Sequence, residues 1–269
     1  MKTILLLLGL AAPAAAQSIQ YQHYTSQRDT GGVARAESAL AKDPKNVALI
    51  GRLGAAQVAI RQYREAIKTY TKGLALAPND TVFYRERGHR HLSVREFDQA
   101  YADLSRGLAL DSTDYGCLYH LGIIRFLRGD FAGAATTFAR ALPLAPDSSE
   151  KAGSTDWLWM SLARAGRLDE ANAMLARRPD SLHTNIVYAR RLSLYRGQVS
   201  PDSIVTPADT DDITVATLSY GIGDWYLVKG DTAKARAWFT RAIKSGGWPA
   251  FGFIVAEAEL KRLPRSPHP

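Results

Sequence analysis

The strongest constraint on how this chain can fold is a spacing. Ala66, Ala100 and Ala134 stand 34 residues apart, and so do Gly54, Gly88 and Gly122. Gly73, Gly107 and Ala141 keep the same step, as do Leu74, Leu108 and Leu142 and the aromatic column Tyr63, Phe97 and Phe131. A fixed period of this length is the mark of a helix–turn–helix solenoid, in which each unit buries its apolar face against its neighbours.

Each column has a physical reason. Small residues let the two helices of a unit cross closely; a leucine at Ala66 would overpack the crossing by roughly 1–3 kcal/mol. Pro44, Pro78 and Pro146 stop the second helix of their units, because proline lacks the N–H that a continuing helix needs. Asn46, Asp80, Asp114 and Ser148 are good N-cap residues and start the next first helix. This punctuation repeats independently of the apolar pattern.

These residues resemble the tetratricopeptide repeat family, which wants small residues at repeat positions 8, 20 and 27 and proline at position 32; here those are Gly54, Ala66, Gly73 and Pro78. The resemblance implies an all-α, right-handed α-solenoid with a C-terminal capping helix. Three regular repeats occupy 47–148, after an N-terminal partial repeat over 17–46 in which "GVARAESALAKDPKN" fits only a second helix. Residues 149–215 hold a fourth repeat and a degenerate one; "SSEKAGST" is expected to be a polar loop, and 197–215 a loop in place of a helix. A last repeat and the capping helix fill 216–263, and 264–269 form a tail.

The N-terminus has a different character. "MKTILLLLGLAAPAAAQ" carries one positive charge, a short apolar run and small residues at Ala14 and Ala16, the pattern of a secretory signal peptide over 1–16 cut before Gln17. No later segment reaches the ~18 apolar residues of a membrane helix. The expectation is a periplasmic or secreted protein. Its net charge of +8 falls to +7 once Lys2 is removed, which admits acidic partners. Cys117 is the sole cysteine, so no intrachain disulfide forms.

From Trp157 to Leu263 the text is similar to the C-terminal part of the NlpI-type periplasmic repeat lipoproteins, carried by "WLWMSLARAG", "LYRGQVSPDSI", "YGIGDWYLVKGDTAKARAWFTRAI" and "AEAEL". That resemblance implies a homodimeric, non-enzymatic adaptor in the bacterial cell envelope that brings cell-wall hydrolases and a protease together. The family's lipid-modified cysteine is replaced here by Gln17, so lipid anchoring does not carry over.

Nothing in the text supplies a nucleophile elbow, a zincin helix, a phosphate loop or a CxxC pair, so neither catalysis nor a cofactor is expected. "GIGDWY" at 221–226 lacks the third glycine of a dinucleotide motif and sits within a helix. His89, His91 and His120 come near one another by repeat geometry, but no further ligand completes a metal set. The groove is the better candidate. Positions 2, 5, 9 and 12 of each first helix line the concave face in this family, which selects Arg85 and His89, then Tyr119, Ile123 and Phe126, then Tyr220 and Asp224. Aromatic residues and arginine are the types that anchor interfaces. The expected ligand is a protein or peptide on that face, with an acidic group meeting Arg85 and His89; nucleic acid is not expected, and a glycan is the alternative. Phe126 and Ile123 could equally serve as packing between repeats. Arg85, Arg87, Arg90 and Arg95 crowd one repeat, which leaves two readings open: an anion-binding patch, or a solvated helix.

Overall fold

The computed structural model describes residues 24–178 and 186–264, and among them the secondary structure is entirely helical, with thirteen α-helices. The signal peptide, its cleavage point at Gln17 and most of the tail lie outside the described residues. Helix α1 (Gly32–Lys42) is the lone second helix of the partial repeat, and the described residues before it, 24–31, are not helical. Three helix pairs follow: α2 (Val47–Ala59) with α3 (Tyr63–Leu76), α4 (Thr81–Ser93) with α5 (Phe97–Leu110), and α6 (Tyr115–Leu127) with α7 (Phe131–Ala141). The fourth pair is α8 (Ser148–Arg164) with α9 (Leu168–Ala176). Helix α10 (Ile186–Tyr195) has no paired second helix, and α11 (Asp212–Val228), α12 (Thr232–Lys244) and α13 (Phe251–Arg262) close the chain.

Local chemistry sets these boundaries. The side chains of Asn46, Asp80 and Asp114 accept hydrogen bonds from the N–H groups of Leu49, Phe83 and Cys117, so each caps its helix. The fourth cap falls on Asp147, not Ser148, and its carboxylate takes the N–H of Glu150. "SSEKAGST" is therefore the start of α8 and not a loop. Its small residues Ala152, Gly153, Ser154 and Thr155 are buried, which a polar composition concealed.

The glycine column is a matter of space. A Cβ at Gly54 would lie 2.3 Å from the Tyr70 ring, one at Gly88 2.8 Å from Leu104, and one at Gly122 2.6 Å from Phe138. The large partners keep the repeat period too, so each crossing is one bulky residue seated on one missing side chain. Gly223 repeats the device under Phe239, at 2.5 Å.

The segment at 196–211 contains only a 3-10 turn at Pro201–Ser203, yet it is built rather than slack. Ile204 is fully buried, and the Asp209 carboxylate accepts bonds from Arg190 at 2.8 Å and from the Thr206 N–H at 2.8 Å. Beyond it the chain returns to the first repeats. Arg61 forms a two-pronged pair with Asp212 at 2.7 and 2.9 Å. Arg95 reaches Glu257 at 2.9 Å and the Trp248 carbonyl at 3.0 Å. Arg262 donates to the Leu127 carbonyl. Trp248 packs against Tyr24 and Tyr63, with ring centroids 4.9 and 5.0 Å away. The inner side of the array is consequently covered at α8 and α6 by α11 and α13.

Candidate functional site

The closure divides the seven concave-face residues expected from the repeat pattern. Ile123, Phe126, Tyr220 and Asp224 are fully buried, so none presents surface to a partner in this arrangement. Phe126 meets Phe131 and Trp157 edge-on at 4.9 and 5.4 Å. Tyr220 lies stacked between Trp157 and Phe239, at 5.9 and 5.5 Å. Asp224 accepts a bond from Arg164 at 2.7 Å, and Arg164 also holds Glu259 of α13 at 3.1 Å. Phe126 is thus packed within its own and the neighbouring repeat, the alternative left open for it by the sequence, whereas Tyr220 and Asp224 lie on α11, where the last repeat meets α8 and α13.

Arg85, His89 and Tyr119 remain, and the fold brings them together. They line a cavity of about 600 Å³ with Tyr115, Gly116 and His120 of α6, Leu144, Pro146, Ser149 and Glu150 around the start of α8, Tyr188 of α10 and Phe251 of α13. Phe251 forms one wall, 5.3 Å from the His89 ring and 6.2 Å from Tyr119. The Tyr119 and Tyr188 hydroxyls stand 3.4 Å apart. The Tyr115 hydroxyl donates to the Glu150 carboxylate at 2.8 Å and lies 3.0 Å from Ser154 Oγ.

The electrostatics differ from the sequence expectation. Arg85 is held by Asp114 at 3.0 Å and Glu86 at 3.3 Å, and it lies flat across Gly116, where a Cβ would come 2.3 Å from its Cδ. The His89 and His120 rings lie tilted against each other with centroids 4.0 Å apart. Burial first, then the charges of Arg90, His120 and Arg85, hold His89 well below the usual imidazole range. Burial, followed by Arg90, brings His120 down to about 3. Neither ring offers a positive charge at neutral pH, so an acidic group would find only a guanidinium that is already paired.

The other arginines of that repeat do not form an anion patch. Arg87 is clamped to Asp103 at 2.7 and 2.6 Å, Arg90 is buried with its guanidinium 4.7 Å from the Tyr63 ring centroid, and Arg95 serves the closure. The described residues contain no group of three or more His, Cys, Asp or Glu arranged to hold a metal. Cys117 is buried, and burial pushes its thiol upward, away from the reactive thiolate. The glycines of "GIGDWY" make room inside α11: a Cβ at Gly221 would collide with Arg191, and Gly223 admits Phe239.

Residues 85–149 match the family model described as tetratricopeptide repeat. That stretch, from α4 to the start of α8, carries tetratricopeptide repeats. A tetratricopeptide repeat protein from Parabacteroides merdae is similar at 19% identity and a TM-score of 0.51, covering 85% of this chain and 90% of that one. A chain of the APC/C hetero-tetramer Cut9–Hcn1 is similar at 18% identity and a TM-score of 0.54, covering 86% of this chain and 38% of that one. YrrB, a TPR protein with an unusual peptide-binding site, is similar at 17% identity and a TM-score of 0.49, covering 86% of this chain and all of that one. The likenesses at TM-scores of 0.51 and 0.54 establish the helical-repeat fold. No curated protein matches the sequence.

Most of the lining escaped the repeat rule, Tyr115, Glu150, Tyr188 and Phe251 among it. Tyr115 starts its helix and falls outside the concave positions, while Glu150 sits in a stretch whose composition signals a loop. Tyr188 belongs to the unpaired α10, and Phe251 comes from the cap. The one sequence signal available was the clustering of aromatic residues in these non-repeat elements.

Proposed function

We propose that this protein is an exported, non-enzymatic tetratricopeptide-type scaffold that binds a peptide segment of a partner in the cavity between α4, α6, α8, α10 and α13. The observation that carries this reading is the closure itself. An extended peptide cannot run the whole length of an inner face that α11 and α13 cover at α8 and α6, and the cavity of about 600 Å³ opens beside that cover. Its size falls in the ~300–1,000 Å³ class of ligand sites, and its rings and few polar groups match such sites in kind. Export is supported by the "MKTILLLLGLAAPAAAQ" pattern alone. Among the described residues no helix is long and apolar enough to cross a membrane.

Calorimetry with a panel of short peptides tests the site. Leu144 lies exposed at the cavity rim, so Leu144→Trp should fill the cavity and abolish binding while leaving the helical circular dichroism unchanged. Binding that survives this substitution places the site elsewhere. The adaptor role drawn from the NlpI-type resemblance adds a homodimer; light scattering at micromolar concentrations should then give twice the monomer mass.

A further inference from the structure

We propose that the cavity accepts a basic side chain of the bound peptide, a lysine ammonium or an arginine guanidinium, between the Glu150 carboxylate and the tyrosine rings. This rests on the cavity being the binding site. It reverses the polarity that Arg85 and His89 suggest in the sequence.

Arg85 lines the cavity, but Asp114 and Glu86 both contact the guanidinium, at 3.0 and 3.3 Å, so that charge is matched before any ligand arrives. Asp114 is itself buried and also caps α6 through the Cys117 N–H at 2.7 Å, which fixes the pair in place. The two imidazoles are held neutral, as described above. Glu150 is different. It is exposed, its carboxylate contacts only the neutral Tyr115 hydroxyl at 2.8 Å, and no cation pairs with it among the described residues. It also stands in the first turn of α8, where the helix dipole favours a carboxylate. Among the described residues, the one unmatched charge lining the cavity is therefore negative.

The rings act in the same direction. Tyr115 and Tyr119 lie 5.7 Å apart, with Tyr188 and Phe251 in the same lining, and the faces of such rings carry partial negative charge that attracts cations. A long aliphatic stem ending in a charge suits a site whose walls are apolar and whose rim carries a carboxylate. A partner's acidic side chain would instead face Glu150 with no free cation to offset the repulsion.

The experiment uses acetylated, amidated hexapeptides that are identical except for a central lysine, arginine, norleucine or glutamate, with butylammonium as a free amine. Calorimetry is run on the full mature chain, on Glu150→Gln, on Leu144→Trp, and on Glu65→Gln as a charge-matched change at an exposed residue of α3. The expected result is lysine or arginine binding at least tenfold tighter than norleucine or glutamate. Glu150→Gln should remove that preference, Glu65→Gln should keep it, and added salt should weaken it. A preference for glutamate, or a lysine preference untouched by Glu150→Gln, overturns the inference; the site reading survives if Leu144→Trp still abolishes binding. Butylammonium binding as tightly as the lysine peptide overturns the assignment to a peptide. Binding intact in Leu144→Trp overturns the site reading as well.

Discussion

Burial and the guanidiniums of Arg90 and Arg85 keep His120 at about 3, and His89 well below its ordinary value. Unfolding releases such groups to roughly 6.5. The unfolded chain then binds more protons than the folded one across that interval, so the stability these rings contribute is complete above their unfolded value and lost as pH falls toward the folded one. Each fully titrating group supplies a slope of up to about 1.4 kcal/mol per pH unit. Asp156 works in the opposite sense. Buried beside Arg191 at 2.9 Å, it is pushed up to about 7, so its contribution is present at low pH and lost as pH rises toward that value. Comparing His120→Gln with the parent cancels the Asp156 effect. Urea denaturation at pH 7 and pH 5 should show the parent losing roughly 1–2 kcal/mol relative to the variant on acidification. An unchanged difference would mean that His120 is protonated in the folded protein at little cost.

At the scale of helices and turns, the period made the regular repeats legible before any coordinates, because caps, prolines and small residues obey local rules. It also identified which face of each first helix points inward. It could not say what occupies the space there. Arg85, His89 and Tyr119 stayed at a cavity, while Ile123 and Phe126, one to two turns further along α6, are buried, Phe126 against Phe131 of α7 and Trp157 of α8. A second long-range signal was present in the text. Arg61, Arg95 and Gly129 share one turn position of their repeats, and all three have positive φ, at 60°, 67° and 81°. A left-handed backbone costs a non-glycine residue roughly 1–2 kcal/mol, so arginine in a glycine column implies a compensating contact. Those contacts are Asp212 and Glu257.

The two arginine turns should differ on substitution. Arg61 and Asp212 are partly exposed, with side chains at 17% and 30%, and such pairs contribute little more than about 1 kcal/mol. Arg61→Gly therefore relieves strain about as much as it loses attraction, and stability should stay within about 1 kcal/mol of the parent. Glu257 is buried, and burial raises its carboxyl above the usual range despite the Arg95 charge. Removing its partner costs about 3–5 kcal/mol before the relief of strain is subtracted. Arg95→Gly should thus destabilise by about 2–3 kcal/mol in urea titrations. Equal losses in both variants would mean that the pairs, and not the backbone, decide these positions. The segment at 196–211 makes a related case. Its two prolines and few apolar residues announce the missing helix, but Ile204 and the Arg190–Asp209 pair anchor it. Asp209→Ala should make it the first site of tryptic cleavage, with Arg196 at its edge the natural target.

A solenoid whose units touch only their neighbours frays from its ends, since its stability is a sum of local terms. This chain is tied differently. Arg61 pairs with Asp212 across 151 residues, Arg95 with Glu257 across 162, and Arg262 reaches the Leu127 carbonyl across 135. Trp248 Nε1 also donates to the Thr25 carbonyl at 3.4 Å, and the Gln27 N–H donates to Ile60 at 2.7 Å, so the segment before α1 straps the seam. Such contacts make the two ends depend on each other, and the whole molecule should unfold in a single transition. Tryptophan is well placed to report on this, because Trp157, Trp159, Trp225, Trp238 and Trp248 all belong to the later part of the chain, whereas far-UV circular dichroism averages over every helix. In the parent the two signals should trace one urea curve, as two-state behaviour requires. Loosening the seam with the Arg95→Ala, Trp248→Ala double variant should separate them, with fluorescence changing at lower urea and the first repeats retaining helix. Separate curves in the parent would show that the return of the chain covers the inner face without coupling its ends. Coincident curves in the double variant would assign the coupling to the Tyr220–Trp157–Phe138 stack that runs from α11 through α8 to α7.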